Sequence, residues 1–380
     1  METESREALA EFIELLREID ARWSSPEWNL RSEADVVESH RALMHLIEGG
    51  LNSTFEQFPE KPRFQRIVSP SRKFTGDNGD AIYHDAPIRD DLRYRIHGKI
   101  DKAVYVSFTL ELDTADGSLA RKTGGVLNDT LFDVDATGHF EIFLGVEPST
   151  VRPEDGENSL RNRLWLPPGA SRITVRHYFE EKHCVAADAS YSIALEIECL
   201  DELPPPPTPT DTSVSAGIRR TMRFIKSRTL EMPPMANAEQ PPFVSQIPNQ
   251  FPKPISPGDF GLAAMDAAYS MAPFVIGPDQ ALVLTMRWPK CRFGNVCLWN
   301  RFQQTFDFAN RQVSLNRKQA TPEADGSVRM VLAHQDPGVP NWLDTEGRPF
   351  GLVFWRFMLP EGEIETPRAE LIPFTDIARI

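Results

Sequence analysis

Over the first fifty residues apolar side chains recur at helical spacing, whereas beyond about residue 60 they alternate with polar ones, so the chain reads as a helical segment followed by strands. Leu9, Phe12, Ile13 and Leu16 fall at i, i+3, i+4 and i+7, which predicts a helix over 3–20 with those four as its buried stripe. A second helix is expected to open at Ser32, with Asp35 as its capping partner, and to stop at Gly49-Gly50. Then the period becomes two. Leu92, Tyr94 and Ile96 alternate with arginines and a histidine, and the same pattern recurs over 104–112, 140–146, 173–179 and 191–199. Asp116-Gly117, Asp135 to Gly138 and Pro167-Pro168-Gly169 supply turns between them. Such strands, joined by such turns, predict an antiparallel sandwich or barrel.

The run Pro204-Pro205-Pro206-Pro207-Thr208-Pro209 cannot enter a sheet interior and marks a boundary. A short basic helix is expected at 213–230, followed by a proline-rich stretch, 231–258, without period. A segment of that kind is either an arm that wraps a neighbour or a lid, and prolines suit the arm because they stiffen the chain. Alternation resumes at Leu282, Leu284, Met286 and Trp288, and again over 296–302 and 328–334, before the nearly all-apolar strand 351–358. The expected organisation is a helical segment (1–60), a β-rich lobe (61–203), a proline-rich linker with one helix (204–280) and a second β-rich lobe (281–380). The fold class is therefore mainly β, with two antiparallel sandwich- or barrel-like lobes.

Composition narrows the function. The net charge of −14 over 380 residues opposes binding to nucleic acid or to an anionic membrane surface. No apolar run is long enough to span a bilayer, and the acidic N-terminal residues do not read as a signal peptide. Cys184, Cys199, Cys291 and Cys297 match neither zinc-knuckle nor disulfide-framework spacing, so reduced thiols in a cytoplasmic compartment are expected. No nucleotide, metal or hydrolase motif is present, and the reading carries no cofactor and no metal.

The candidate chemistry lies in polar residues on faces that the alternation buries. His334 follows Val328, Met330 and Leu332 on one face, and Arg356 sits among Leu352, Phe354 and Met358. Each needs a partner, either an internal one or a ligand in a polar-lined cavity. Asp336, just past His334, makes that pair a candidate base and orienter. In the first lobe Arg93 and Arg95 share one strand face, and Arg176 and Tyr178 share another with Arg172 and Thr174. If those faces meet they form a cationic groove for a carboxylate, sulfate or phosphate; otherwise they pair with the protein's own acids. Tyr83-His84-Asp85 is the best local acid–base cluster. Trp299, with Arg301 beside it in the face pattern, and Trp342 are either core or interface residues or the wall of a pocket for a flat ligand.

Several stretches carry a resemblance. Trp288-Pro289 through Trp299-Asn300, Val313-Ser314-Leu315-Asn316, and above all Asp336-Pro337-Gly338-Val339-Pro340-Asn341-Trp342-Leu343-Asp344 resemble the family called domain of unknown function 1214. Gly76-Asp77-Asn78, Tyr83 and Tyr94 to Gly98 resemble the upstream region of its longer members, where the companion domain of unknown function 1254 is often found. Gly79 stands where those members would have proline. The resemblance implies a β-rich protein and weakly favours an apolar small-molecule substrate; it transfers no catalytic residues. Two functions follow as expectations. One is a cofactor-independent lyase, isomerase or hydrolase acting on a hydrophobic lipid, steroid or aromatic compound with a polar or anionic handle. There Tyr83, His84, His334 and Asp336 would move protons, and the arginines, Tyr178 and the tryptophans would bind. The other is a non-catalytic binding or assembly protein. A homo-oligomer is expected in either case, and the DPGVPNWLD segment is expected to line the ligand site.

Overall fold

The computed structural model describes residues 2–146, 161–258 and 263–379. The first helix, α1 (Glu4–Trp23), starts where the Thr3 side chain accepts the Arg6 N–H. Its buried stripe is Ala8, Leu15, Ile19 and Trp23, while Leu9 and Ile13 are 52% and 47% exposed. The predicted helix is there with its face rotated. Spacing fixes that a stripe exists, but the neighbour on which it packs selects the stripe. The second helix, α2 (Glu33–Thr54), carries the expected reciprocal cap between Ser32 and Asp35. It runs through Gly49-Gly50 instead of ending there. A Cβ on Gly50 would lie 3.2 Å from the Phe224 ring and from Thr221. The glycines therefore let α3 (Asp211–Ser227) approach closely, a packing role rather than a stop signal.

The rest is mainly β. Nine strands precede α3: β1 (Gln65–Arg66), β2 (Ala81–Pro87), β3 (Tyr94–Lys99), β4 (Tyr105–Leu112), β5 (Thr123–Asn128), β6 (His139–Gly145), β7 (Arg163–Trp165), β8 (Ala170–Tyr178) and β9 (Leu195–Cys199) among the described residues. They form sheet I, in the order β1-β2-β8-β4-β5, and sheet II, in the order β7-β6-β3-β9. The following strands are β10 (Ala267–Val275), β11 (Gln280–Met286), β12 (Phe293–Trp299), β13 (Ser314–Asn316), β14 (Val328–Ala333), β15 (Trp342–Asp344), β16 (Phe350–Met358) and β17 (Arg368–Pro373). These make sheet III, β10-β16-β12-β13, and sheet IV, β15-β14-β11-β17. Pairing is antiparallel except at β6 with β7 and β14 with β15.

The residues assigned to the linker contain a strand. β10 pairs with β16 from Ala267 to Val275, so the second β region starts well before 281. Its residues are buried on both faces up to Phe274, which removes the alternation that reveals a strand. Pro273 fits because β10 lies at the end of sheet III's ladder. Along the free side of β10 runs the proline-rich arm, with bridges from Val244 to Met271 and from Ile255 to Tyr269.

One core, with Phe108, Phe140, Ile142 and Val175, joins sheets I and II. A second, continuous cluster links the other face of sheet I (Tyr83, Tyr105, Tyr178) to sheet III (Tyr269, Phe354) and on to sheet IV (Leu284, Leu332). The sheets thus stack in the order II, I, III, IV. Among the described residues no helix is long and apolar enough to cross a membrane, and the four cysteines are unpaired.

Candidate functional site between sheets I and III

The two inner sheets do not close completely. Strict alternation along β8 sends Ile173, Val175 and His177 to one side of sheet I and Arg172, Thr174, Arg176 and Tyr178 to the other, facing sheet III. The ladder then sets rows across this face. Tyr83 on β2 lies opposite Arg176, Asp85 opposite Thr174, and Glu111 on β4 opposite Arg172. Sheet III contributes Trp299, Phe354, Arg356 and Tyr269. The C-terminal end of α3 adds Arg228, and the arm from Met232 to Val244 forms a roof. Together they enclose a cavity of about 520 Å³.

Arg356 is the feature that sets this cavity apart. It is 4% exposed, yet it makes no ion pair among the described residues. Its Nη2 donates to the Gly76 carbonyl at 3.2 Å and its Nη1 lies 3.5 Å from the Tyr83 hydroxyl, while Nε has no partner. The guanidinium rests 4.9 Å from the Phe354 ring centre and 5.8 and 5.7 Å from those of Tyr178 and Tyr269. Burial pushes the Tyr83 and Tyr269 hydroxyls above the usual phenol range, so both stay protonated at neutral pH. Tyr269 accepts the Ala264 N–H at 3.0 Å. Trp299 stacks on Phe354 at 4.3 Å and donates its indole N–H to the Asp77 carbonyl at 2.9 Å, which fixes an apolar wall.

The other end of the cavity is more evenly charged. Asp85 accepts from Arg172 in a buried ion pair, and Glu111 accepts from Thr174. Arg176 donates to Thr109. Arg228 has no carboxylate partner among the described residues. It donates to the carbonyls of Gly117 and Phe224 and packs its guanidinium 3.6 Å from the Phe224 ring centre. Burial lowers its pKa to about 9.

Below the cavity a polar joint ties the sheets together. Asp80 accepts from Asn295 at 2.9 Å and Asn316 at 3.0 Å, and Asn295 also donates to Asn78. Burial raises Asp80 to about 6. The Gly76-Asp77-Asn78 stretch is therefore part of the junction. Asp77 accepts the Thr305 N–H at 2.7 Å and borders the cavity.

The candidate residues divide sharply. Tyr83, Arg176, Tyr178, Trp299 and Arg356 come together in the cavity. Arg93 and Arg95 do not. Arg95 lies on β3 of sheet II and Arg93 just before it, ion-paired with Glu198 and Asp201, so the two arginine faces never meet. His84 points away from Tyr83 and Asp85, as adjacent strand residues must, and burial with nearby Arg66 lowers it to about 4. His334 is held by Thr345 at 2.6 Å, and Asp336 is exposed and accepts the Gly338 N–H in a turn. Arg301 binds Asp35 at 2.8 Å and the Trp28 carbonyl, anchoring α2.

The DPGVPNWLD segment does not line the cavity. Asn341 bonds Thr321 and Arg329, and Trp342 packs on Ala333 and Ile377 while donating to the Ala333 carbonyl at 3.1 Å. Its prolines and asparagine serve the turn and the strand that follows. Sequence reasoning passed over Glu111, Arg228 and Tyr269 as cavity residues. Glu111 sat at a visible polar position in an apolar strand, but Tyr269 lay in the strand without alternation, and Arg228 was one of several arginines in a basic helix.

No family model matches the sequence, and no curated protein matches it either. Among solved structures, an uncharacterised protein from Burkholderia cenocepacia shares the fold with a TM-score of 0.80 at 22% identity, covering 97% of this chain and 98% of that one. The VPA0106 protein from Vibrio parahaemolyticus aligns with a TM-score of 0.49 at 10% identity, over 87% of this chain and 98% of its own.

Proposed function

We propose that the protein binds a flat, largely apolar small molecule with an anionic handle in the cavity between sheets I and III. The observation that carries this reading is Arg356, a buried guanidinium in the wall of the cavity with no ion pair among the described residues. An uncompensated buried charge costs several kcal/mol, roughly, and a carboxylate, sulfate or phosphate that reaches it removes much of that cost. The protonated hydroxyls of Tyr83 and Tyr269 add polar contacts around the same point, and the Trp299–Phe354 stack offers a flat wall. Binding is favoured over proton-transfer catalysis because no histidine lines the cavity among the described residues. Of the carboxylates that line it, Asp85 and Glu111 already hold Arg172 and Thr174, Asp77 holds Thr305 and Glu231 holds Arg223.

A test uses 2-naphthoate as a flat anionic probe, followed by calorimetry and by tryptophan fluorescence. The protein should bind it, and Arg356→Gln should weaken binding at least about tenfold, the loss of one charge-assisted contact. Equal binding by the wild-type and Arg356→Gln proteins, or none by the wild type, sinks the reading.

A further inference from the structure

The outer face of α2 carries an apolar row that the fold leaves open. Val37, Met44 and Leu51 are 59%, 54% and 46% exposed. They are seven residues apart, so at 3.6 residues per turn they lie within about 40° of one another around the helix. Exposed apolar residues scattered singly are ordinary, but three in line over two heptads make a seam of the kind on which helices pair. Val36, 39% exposed, widens it on one side.

This seam is not a core face turned the wrong way. The opposite side of α2 buries Ala42, Leu43 and Leu46. Polar contacts fasten the same side to the second β region. Glu38 accepts from Asn300 and Arg348 at 2.5 Å each, His45 meets Gln304 at 3.2 Å, and Asp35 holds Arg301 at 2.8 Å. The helix therefore cannot roll to hide the row without breaking buried bonds.

The flank of the row indicates what fits it. Arg41 and Glu48 are both exposed and lie on one side of the seam. Along the axis Arg41 comes about 4.5 Å before Met44, and Glu48 about 6 Å after it. A second α2 laid antiparallel, with a two-fold axis at Met44, sets each Arg41 beside the other copy's Glu48. The same placement puts Val37 against Leu51 and Met44 against Met44. A parallel pairing brings residues of equal height together and forms neither ion pair. Glu48 also meets Arg72 of its own chain at 2.8 Å, but its side chain is 49% exposed and a carboxylate accepts from two cations.

We propose that this face is the interface of a homodimer, in which two α2 helices pack antiparallel across a two-fold axis at Met44. A self-complementary row with self-complementary charges is what a two-fold contact requires, and it selects a second copy of this chain as the occupant. The contact is one helix wide, at the small end of specific interfaces, so association depends on concentration. No residue of α2 lines the cavity between sheets I and III, so the dimer stands or falls independently of the ligand reading.

Sedimentation velocity on the intact protein, from low to high micromolar concentration, should show a monomer–dimer equilibrium. Met44→Glu sets two carboxylates at the axis and should weaken association at least about tenfold. Its thermal unfolding at low concentration should match the wild type, because Met44 is half exposed. Cross-linking under mild oxidation then tests the register. Met44→Cys should form an intermolecular disulfide with its own copy, whereas Val37→Cys and Leu51→Cys should cross-link when mixed but not alone. The wild type, with its four native cysteines, is the control. A monomer at every concentration overturns the proposal. A dimer that Met44→Glu leaves intact, or one in which Met44→Cys cross-links no faster than the wild type, overturns it as well.

Discussion

The segment 92–97, which runs into β3, and β8 read almost alike in sequence, each alternating arginines with apolar residues, yet the structure uses them in opposite ways. Arg95 on β3 and Arg93 just before it stand on the outside of sheet II and meet Glu198 and Asp201 in exposed ion pairs. On β8, Arg172 and Arg176 face another sheet, one held by buried Asp85 and the other by Thr109, beside a cavity with Arg356 in its wall. Water screens the first set, so its pairs add little; the second lies where charges are costly when unpaired and strong when paired. An alternating cationic strand therefore says only that one face is polar. Whether that face is surface or site depends on what covers it.

The sharpest way to test this contrast is to remove one arginine from each segment. Arg172→Met should destabilise the protein by about 3–5 kcal/mol in urea unfolding, because Asp85 is left charged and unpaired in a buried position. Arg93→Ala should leave unfolding within error of the wild type; a loss comparable to that of Arg172→Met would break the comparison.

Arg356→Met should separate binding from stability. Binding of 2-naphthoate should drop on the order of a hundredfold, whereas stability should hold or rise, since an apolar side chain replaces a buried charge that has no ion pair. A large stability loss with binding intact would reverse the assignment.

The opposite face of β8 offers a pH test. His177 is fully buried, and burial followed by nearby His84 lowers it from 6.5 to about 3. The folded protein thus holds fewer protons there than the unfolded chain at pH between these values. Its contribution is present above the unfolded pKa and is lost as pH falls toward 3. The slope is about 1.4 kcal/mol per unit, so the wild type should lose about 2 kcal/mol by pH 5 through this residue, a loss that His177→Leu lacks. Parallel stability profiles for the two proteins over that range would count against the buried neutral histidine. Trp342→Leu has the smallest expected effect, about 1 kcal/mol of stability with unchanged 2-naphthoate binding, because the ring packs on sheet IV rather than in the cavity.

The sequence by itself determined the elements whose periodicity survives one-sided burial. The capped start of α2, the strands around Ile96, Phe108, Ile142 and Val175, and the mainly β class with its helical N-terminal segment were all legible from spacing. It also placed Arg356 on a face where charge is unusual. It could not show β10, because a strand buried on both sides has no alternation, nor the buried stripe of α1, because several apolar rows compete for one neighbour. It drew attention to DPGVPNWLD, whose prolines, asparagine and tryptophan have local work in a turn and a small core. Only the tertiary structure decided the site. Tyr83, Arg228, Tyr269 and Arg356 are far apart along the chain, and they face one cavity because sheet I and sheet III, each formed by its own stretch of sequence, pack face to face without filling the space between them.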